Sequence, residues 1–136
     1  FCHLRQGPRT FRVDRIASVA RTSRSFARPE NFDTLAAIST AIATLPRAHR
    51  AEVLLQADLA TAKRQIFATL GILEEVDGGV LLHSQAGDLN WLARELARLP
   101  FAFAIREPKE LGGAVGRHAS ALAAAVDTTI SRRKRS

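Results

Sequence analysis

The sequence predicts an α+β fold, a β-α-β-β-α-β run closed by a terminal helix and preceded by a few strands. Three observations predict it. Over residues 51–126 the apolar positions switch repeatedly between a period of two and a period of 3.6. Asp77-Gly78-Gly79 separates two short apolar runs, as a hairpin turn does. Asp33, Asp58 and Asp88 each precede an apolar stripe of helical spacing, where a carboxylate can accept the unpaired first N–H groups.

Taken in order, residues 1–25 read as strands. Phe1 to Leu4 is followed by the turn signal Arg5-Gln6-Gly7-Pro8, and Thr10, Phe11, Val13, Ile16 and Val19 alternate in part. Pro29 ends this stretch. Asp33 then opens a short helix with Leu35, Ile38, Ile42 and Leu45 on its stripe, and Pro46 stops it. A strand over 52–57 follows, with Val53, Leu55 and Ala57 on one face. Asp58 opens a helix with Leu59, Ala62, Ile66 and Leu70, and Gly71 is expected to close it.

The two hairpin strands run over 72–76 and 80–84. Asp88 opens the next helix, with Leu89, Leu92, Leu96 and Leu99 on one face, up to Pro100. Residues 101–106 form the last strand. After Pro108 comes a helix with Leu111, Val115, Ala119, Leu122 and Val126 on its stripe, its first turns weakened by Gly112, Gly113 and Gly116. This is the ferredoxin-like split β-α-β pattern. It predicts an antiparallel sheet in spatial order 4-1-3-2 with the helices near 58–70 and 88–99 on one face. The opposite face must be solvated, covered by the last helix or buried against a partner.

The charge is uneven. Residues 1–50 hold nine Arg against three acidic residues, residues 51–131 hold seven Lys and Arg against ten, and Arg132 to Arg135 form a basic tail. The basic character therefore belongs to the two ends, where it can attract phosphates or nucleic acid. Arg-rich, Ala-rich composition also arises from a GC-rich genome, so the charge alone does not decide. Methionine is absent, including at position 1, and the chain is expected to be a piece of a longer protein. Cys2 is the single cysteine, which excludes an intrachain disulfide and fits a reducing cytoplasm. No apolar run is long enough to cross a bilayer.

Three segments carry a family resemblance. Arg9-Thr-Phe-Arg-Val-Asp-Arg-Ile16 resembles the last strands of the bacterial WYL domain, where R-x-F-R-L-D-R-I is typical. Phe26-Ala-Arg-Pro-Glu-Asn-Phe-Asp33 resembles the F-x-x-P-x-x-F-D junction after it. Arg106-Glu-Pro-Lys-Glu-Leu111 resembles the E-P-P-E-L element before the last helix of the C-terminal extension, the WCX domain. The resemblance covers nearly the whole chain. It departs from the family in lacking the Trp-Tyr-Leu tripeptide and in having Pro100 where Gly is usual.

The resemblance implies a division into residues 1–27 from the end of an SH3-like WYL barrel, here incomplete, a linker with a short helix over 28–50, a WCX domain over 51–127 and a basic tail over 128–136. It also implies a transcription regulator whose DNA-binding helix-turn-helix lies outside this chain. The WYL domain is then an effector sensor, with nucleic-acid or nucleotide ligands proposed, and the extension contributes to dimer contacts.

The candidate site residues are few. Arg5, Arg9, Arg12 and Arg15 can clamp phosphates in bidentate fashion, or snorkel along a strand edge. In an extended arm Arg9, Phe11, Val13 and Arg15 share a face while Arg12 points the other way with Asp14. Phe11 and Ile16 are candidate interface residues, because half a barrel leaves an apolar face and an edge uncovered. Trp91 lies off its helix stripe beside Glu95 and Arg98, so it marks an interface or packs under a loop of its own chain.

No metal, cofactor or catalysis is expected. His3, His49, His83 and His118 are scattered, Glu74 and Glu75 point to opposite strand faces, and Gly112-Gly113-Ala-Val-Gly116 lacks the Lys-Ser/Thr of a phosphate loop. The expected function is an effector-sensing and dimerising module of a regulator, a homodimer with no membrane association. The alternative is a free-standing nucleic-acid-binding domain of ferredoxin-like fold. RNA recognition motifs stack bases on sheet aromatics, and the predicted strands offer only Phe101 and Phe103.

Overall fold

Four strands form one antiparallel sheet in the order β2-β3-β1-β4 in the computed structural model, the expected 4-1-3-2 order. The described residues are 2–7, 9–27 and 29–133, with backbone alone for 127–133. The expectations placed on Phe1, Pro8, Arg28, Lys134 and Arg135 lie outside them. Along the chain come α1 (Thr34–Ala43), β1 (His49–Leu55), α2 (Leu59–Gln65), β2 (Gly71–Val76), β3 (Gly79–Ala86), α3 (Leu89–Ala97), β4 (Phe103–Glu107) and α4 (Lys109–Arg133).

The three expected caps are made. Asp33 accepts from the Ala36 N–H at 2.9 Å, Asp58 from Thr61 at 2.8 Å and Asp88 from Asn90 at 2.8 Å. The Asp77-Gly78 turn joins β2 to β3 with Gly78 at φ 87°, a left-handed conformation that glycine adopts without a Cβ clash. Strand alternation sorts the sheet into two faces. Ala51, Val53 and Leu55 of β1 lie beside Ser84, Leu82 and Val80 of β3, all buried. Ala62, Ile66, Leu92, Leu96, Leu111 and Ala114 pack on this face in one core. The first two helices of the β-α-β-β-α-β run therefore share a face, as predicted.

α4 does not cover the other face. It packs on α3 and β4 within the helical layer. α1 lies against β2, and Ala43 and Leu81 are buried outside the main core. The connection after α1 touches the same face, where the Arg47 N–H donates to Gln85 Oε1 at 3.5 Å.

Three expectations are corrected. No strand forms over 9–27; there is one 3₁₀ turn, Val13–Arg15, and an isolated bridge between Cys2 and Gly7. A strand is stable only when its N–H and C=O groups are paired, and no described strand of the chain lies beside this arm. Phe11 and Val13 are accordingly exposed. The helix after Asp58 stops at Gln65, because Ile66 turns extended; its stripe still reaches the core, with Ile66 and Leu70 buried. Gly71 then opens β2 instead of closing a helix. A Cβ there would stand 2.2 Å from the His83 carbonyl oxygen, so the glycine serves close strand approach.

α4 runs for 25 residues through all three of its early glycines. Each glycine costs about 1 kcal/mol against alanine in a helix. Burying Leu111 contributes about 1.5–3 kcal/mol, and Ala114 adds to it. Tertiary burial thus offsets the local weakness.

Candidate functional site

The sheet face away from α2, α3 and α4, which α1 covers in part near β2, carries a ladder of charges that crosses all four strands. The Glu107 carboxylate of β4 lies 3.9 Å from Arg50 Nε, and Arg50 Nη2 donates to Glu52 Oε1 at 2.7 Å. Glu52 Oε1 is 3.3 Å from His83 Nδ1, and His83 Nε2 is 2.9 Å from Glu74 Oε2. The hydrogen bond from Arg50, with the neighbouring His83, holds the Glu52 carboxyl below the usual carboxylate range. Strand register assembles this ladder, since Glu52 is opposite His83 and Ile72 is opposite His83 on its other side. The sequence pattern put Glu74 and Glu75 on opposite faces but gave no sign that Glu74 meets His83.

Phe103, the one aromatic inside an observed strand, lies beside Leu55 on the helix-covered face and packs on the core. The ladder on this face presents three carboxylates, one guanidinium and one imidazole. It is neither basic nor aromatic, and so does not form a base-stacking platform.

The four candidate arginines of the arm separate. Arg12 forms a bidentate pair with Asp14, with Nε to Oδ1 at 3.0 Å. The pairing raises the Arg12 pKa and lowers that of Asp14. Arg5, Arg9 and Arg15 are exposed and make no ion pair among the described residues. Among the described residues these four are thus three cations without an ion pair and one neutralised member. Phe11 is 61 % and Ile16 49 % exposed beside them.

Trp91 is half-buried and packs against the core of its own chain. α4 behaves differently. Leu111 is buried and Val115 half-buried, while Leu122 and Val126 on the same stripe are 54 % and 58 % exposed. At 1.5 Å per residue, α4 is about 37 Å long and its neighbour α3 about 13 Å. The helix outruns its support.

Sequence reasoning did not single out a cleft of about 220 Å³ between the end of α2 and the end of α3, bordered by Arg64, Phe67, Glu95 and Arg98. Its residues lie some thirty positions apart on two helices, so only their packing joins them. No group of three or more His, Cys, Asp or Glu suited to a metal ion occurs among the described residues, and no described helix is long and apolar enough to cross a membrane.

The family model described as WCX domain matches residues 47–123, more than half of the chain. No curated protein and no solved structure gives a significant match.

Proposed function

The chain belongs to the WCX domain family, and from that premise we propose that it is the assembly and sensing module of a WYL-type transcription regulator. The family is linked to such regulators. The observation that carries the assembly reading is the α4 stripe, which continues past its intramolecular support with Leu122 and Val126 exposed. A second copy packed on this stripe removes apolar surface from water, at about 25 cal/mol per Å². The bulk of the regulator's DNA affinity then belongs to a helix-turn-helix outside this chain, and the arm arginines are the candidate groups for holding a nucleotide-type effector. No enzymatic step is part of this reading.

Gel filtration with light scattering tests it. The unaltered chain is expected to run as a dimer, and Leu122→Asp with Val126→Asp to shift it to monomer without loss of helical signal. A strictly monomeric chain at high concentration would overturn the assembly reading. The nucleic-acid alternative predicts tight oligonucleotide binding that is lost on mutating the sheet face; the acidic ladder there argues against it.

A further inference from the structure

The arm has a strand-like sequence without a strand partner, and the sheet has an outer strand without an outer neighbour. β2 ends the order β2-β3-β1-β4, and residues 71–76 make no backbone hydrogen bond outside the sheet among the described residues. Every second residue of an outer antiparallel strand turns its N–H and C=O away from the sheet. Such an edge is a template for another strand unless its side chains repel one.

The side chains at this edge select by charge. Residues 71–77 hold Glu74, Glu75 and Asp77 and no basic residue. All three are exposed, and Glu75 and Asp77 make no ion pair among the described residues. A second β2 edge brought alongside would set acid against acid. The other outer strand, β4, carries Arg106 and runs into Pro108, which has no N–H to donate. The β2 edge therefore admits a basic strand and turns away its own kind.

Residues 9–13, Arg-Thr-Phe-Arg-Val, meet that requirement, with two arginines and no acid. Arg12 has extended backbone at φ −75° and ψ 120°, and the 3₁₀ turn begins only at Val13. Run antiparallel to β2 with Phe11 opposite Leu73, the arm sets Arg9 opposite Glu75 and diagonal to Asp77. Arg12 then lies diagonal to Glu74. Opposite and diagonal side chains on one face are within reach of each other. Phe11, exposed in the single chain, comes beside Leu73, which is half-buried against the core.

We propose that residues 9–13 of one copy add to the β2 edge of a second copy as an antiparallel strand, and the reverse. Backbone hydrogen bonds supply the pairing, and the arginine–carboxylate match selects the partner. Within the single chain the arm and the edge stay unpaired. The contact extends the assembly reading above to a second surface, and rests on it only in needing a second copy.

Amide hydrogen exchange of the full chain, dilute and concentrated, tests it. Residues 9–13 and 71–75 are expected to exchange about tenfold more slowly in the concentrated sample. Two charge variants assign the contact. Glu74→Lys with Glu75→Lys reverses the edge, and Arg9→Glu with Arg12→Glu reverses the arm. Each alone should lose the concentration-dependent protection. Their mixture should regain it, because each then meets a partner of opposite charge at both contacts. Unchanged protection of residues 51–55 and 80–84 checks that the variants fold; if either does not, the concentration dependence of the unaltered chain decides. Arm exchange that is fast at every concentration overturns the proposal. So does protection independent of concentration, which would place the arm on its own β2, and so does a mixture of folded variants that stays unprotected. Exchange in residues 119–126 reports the α4 contact separately, so failure of either reading is seen by itself.

Discussion

The Ser84 hydroxyl donates to the Leu70 carbonyl at 2.7 Å across the seam between the helical layer and the sheet. Ser84 is 1 % exposed and is the one buried polar side chain among the described residues. Ser84→Ala leaves the Leu70 carbonyl without this donor where water does not reach. The expected loss is about 1–3 kcal/mol, read as a lowered urea midpoint at unchanged slope. A variant as stable as the parent would mean that the carbonyl finds another donor.

Two glycine substitutions should move stability in opposite directions. At Gly71 a new Cβ meets the His83 carbonyl oxygen at 2.2 Å and Leu82 Cδ1 at 2.7 Å. Gly71→Ala must push β2 from β3, at a cost of about 1–3 kcal/mol or more. At Gly112 nothing lies within 4 Å and the backbone is helical. Gly112→Ala should stabilise by about 0.5–1 kcal/mol. Thermal unfolding of the two variants beside the parent checks the contrast; two shifts of the same sign would refute it.

The ladder makes an acid-side prediction. Glu52 has a folded pKa below its ordinary 4.5, chiefly because Arg50 donates to it and then because of His83. A carboxyl depressed in the folded state contributes stability above its unfolded pKa and loses it as pH falls through the folded one. Asp58 acts likewise from its ordinary 3.8, through the Thr61 backbone N–H and then the Thr61 hydroxyl. Stability should therefore fall below about pH 4.5. Glu52→Gln should flatten that limb, measured as urea midpoints across the acid range, and an unchanged limb would remove Glu52 from the account.

Arm arginines should be unequal in polyanion binding. Arg12 is already paired with Asp14, whereas Arg9 and Arg15 are free of ion pairs among the described residues. Replacing Arg9 and Arg15 by Ala should weaken binding of a short single-stranded oligonucleotide and lower its salt slope by about 0.7 for each phosphate no longer neutralised. Arg12→Ala alone should do less. A chain ending before Arg132 is the control for the basic tail. Equal affinity and equal slope in the double variant would contradict the arm assignment.

Caps and stripes were legible in the sequence because they are local. Asp33, Asp58 and Asp88 cap what they precede, and the Asp77-Gly78 turn closes where its glycine permits φ 87°. From those elements the strand order and the one-sided helical layer followed, since short connections leave few ways to bury every stripe.

What needed a second segment was not legible. The alternation in residues 10–19 is strand-like, but a strand exists only beside another, and none pairs with this arm among the described residues. Gly71 has the position of a helix cap, and only its 2.2 Å relation to His83 gives it a different task. The Glu107–Arg50–Glu52–His83–Glu74 ladder depends on register across four strands. The cleft joins Arg64 and Phe67 to Glu95 and Arg98 only where two helices end together. Sequence by itself determined the elements, their order and which residues they bury, because backbone hydrogen bonding and hydrophobic period act within a few residues. Tertiary structure alone decided which charges meet and where apolar surface is left over, because those depend on distances between segments that the chain order does not encode.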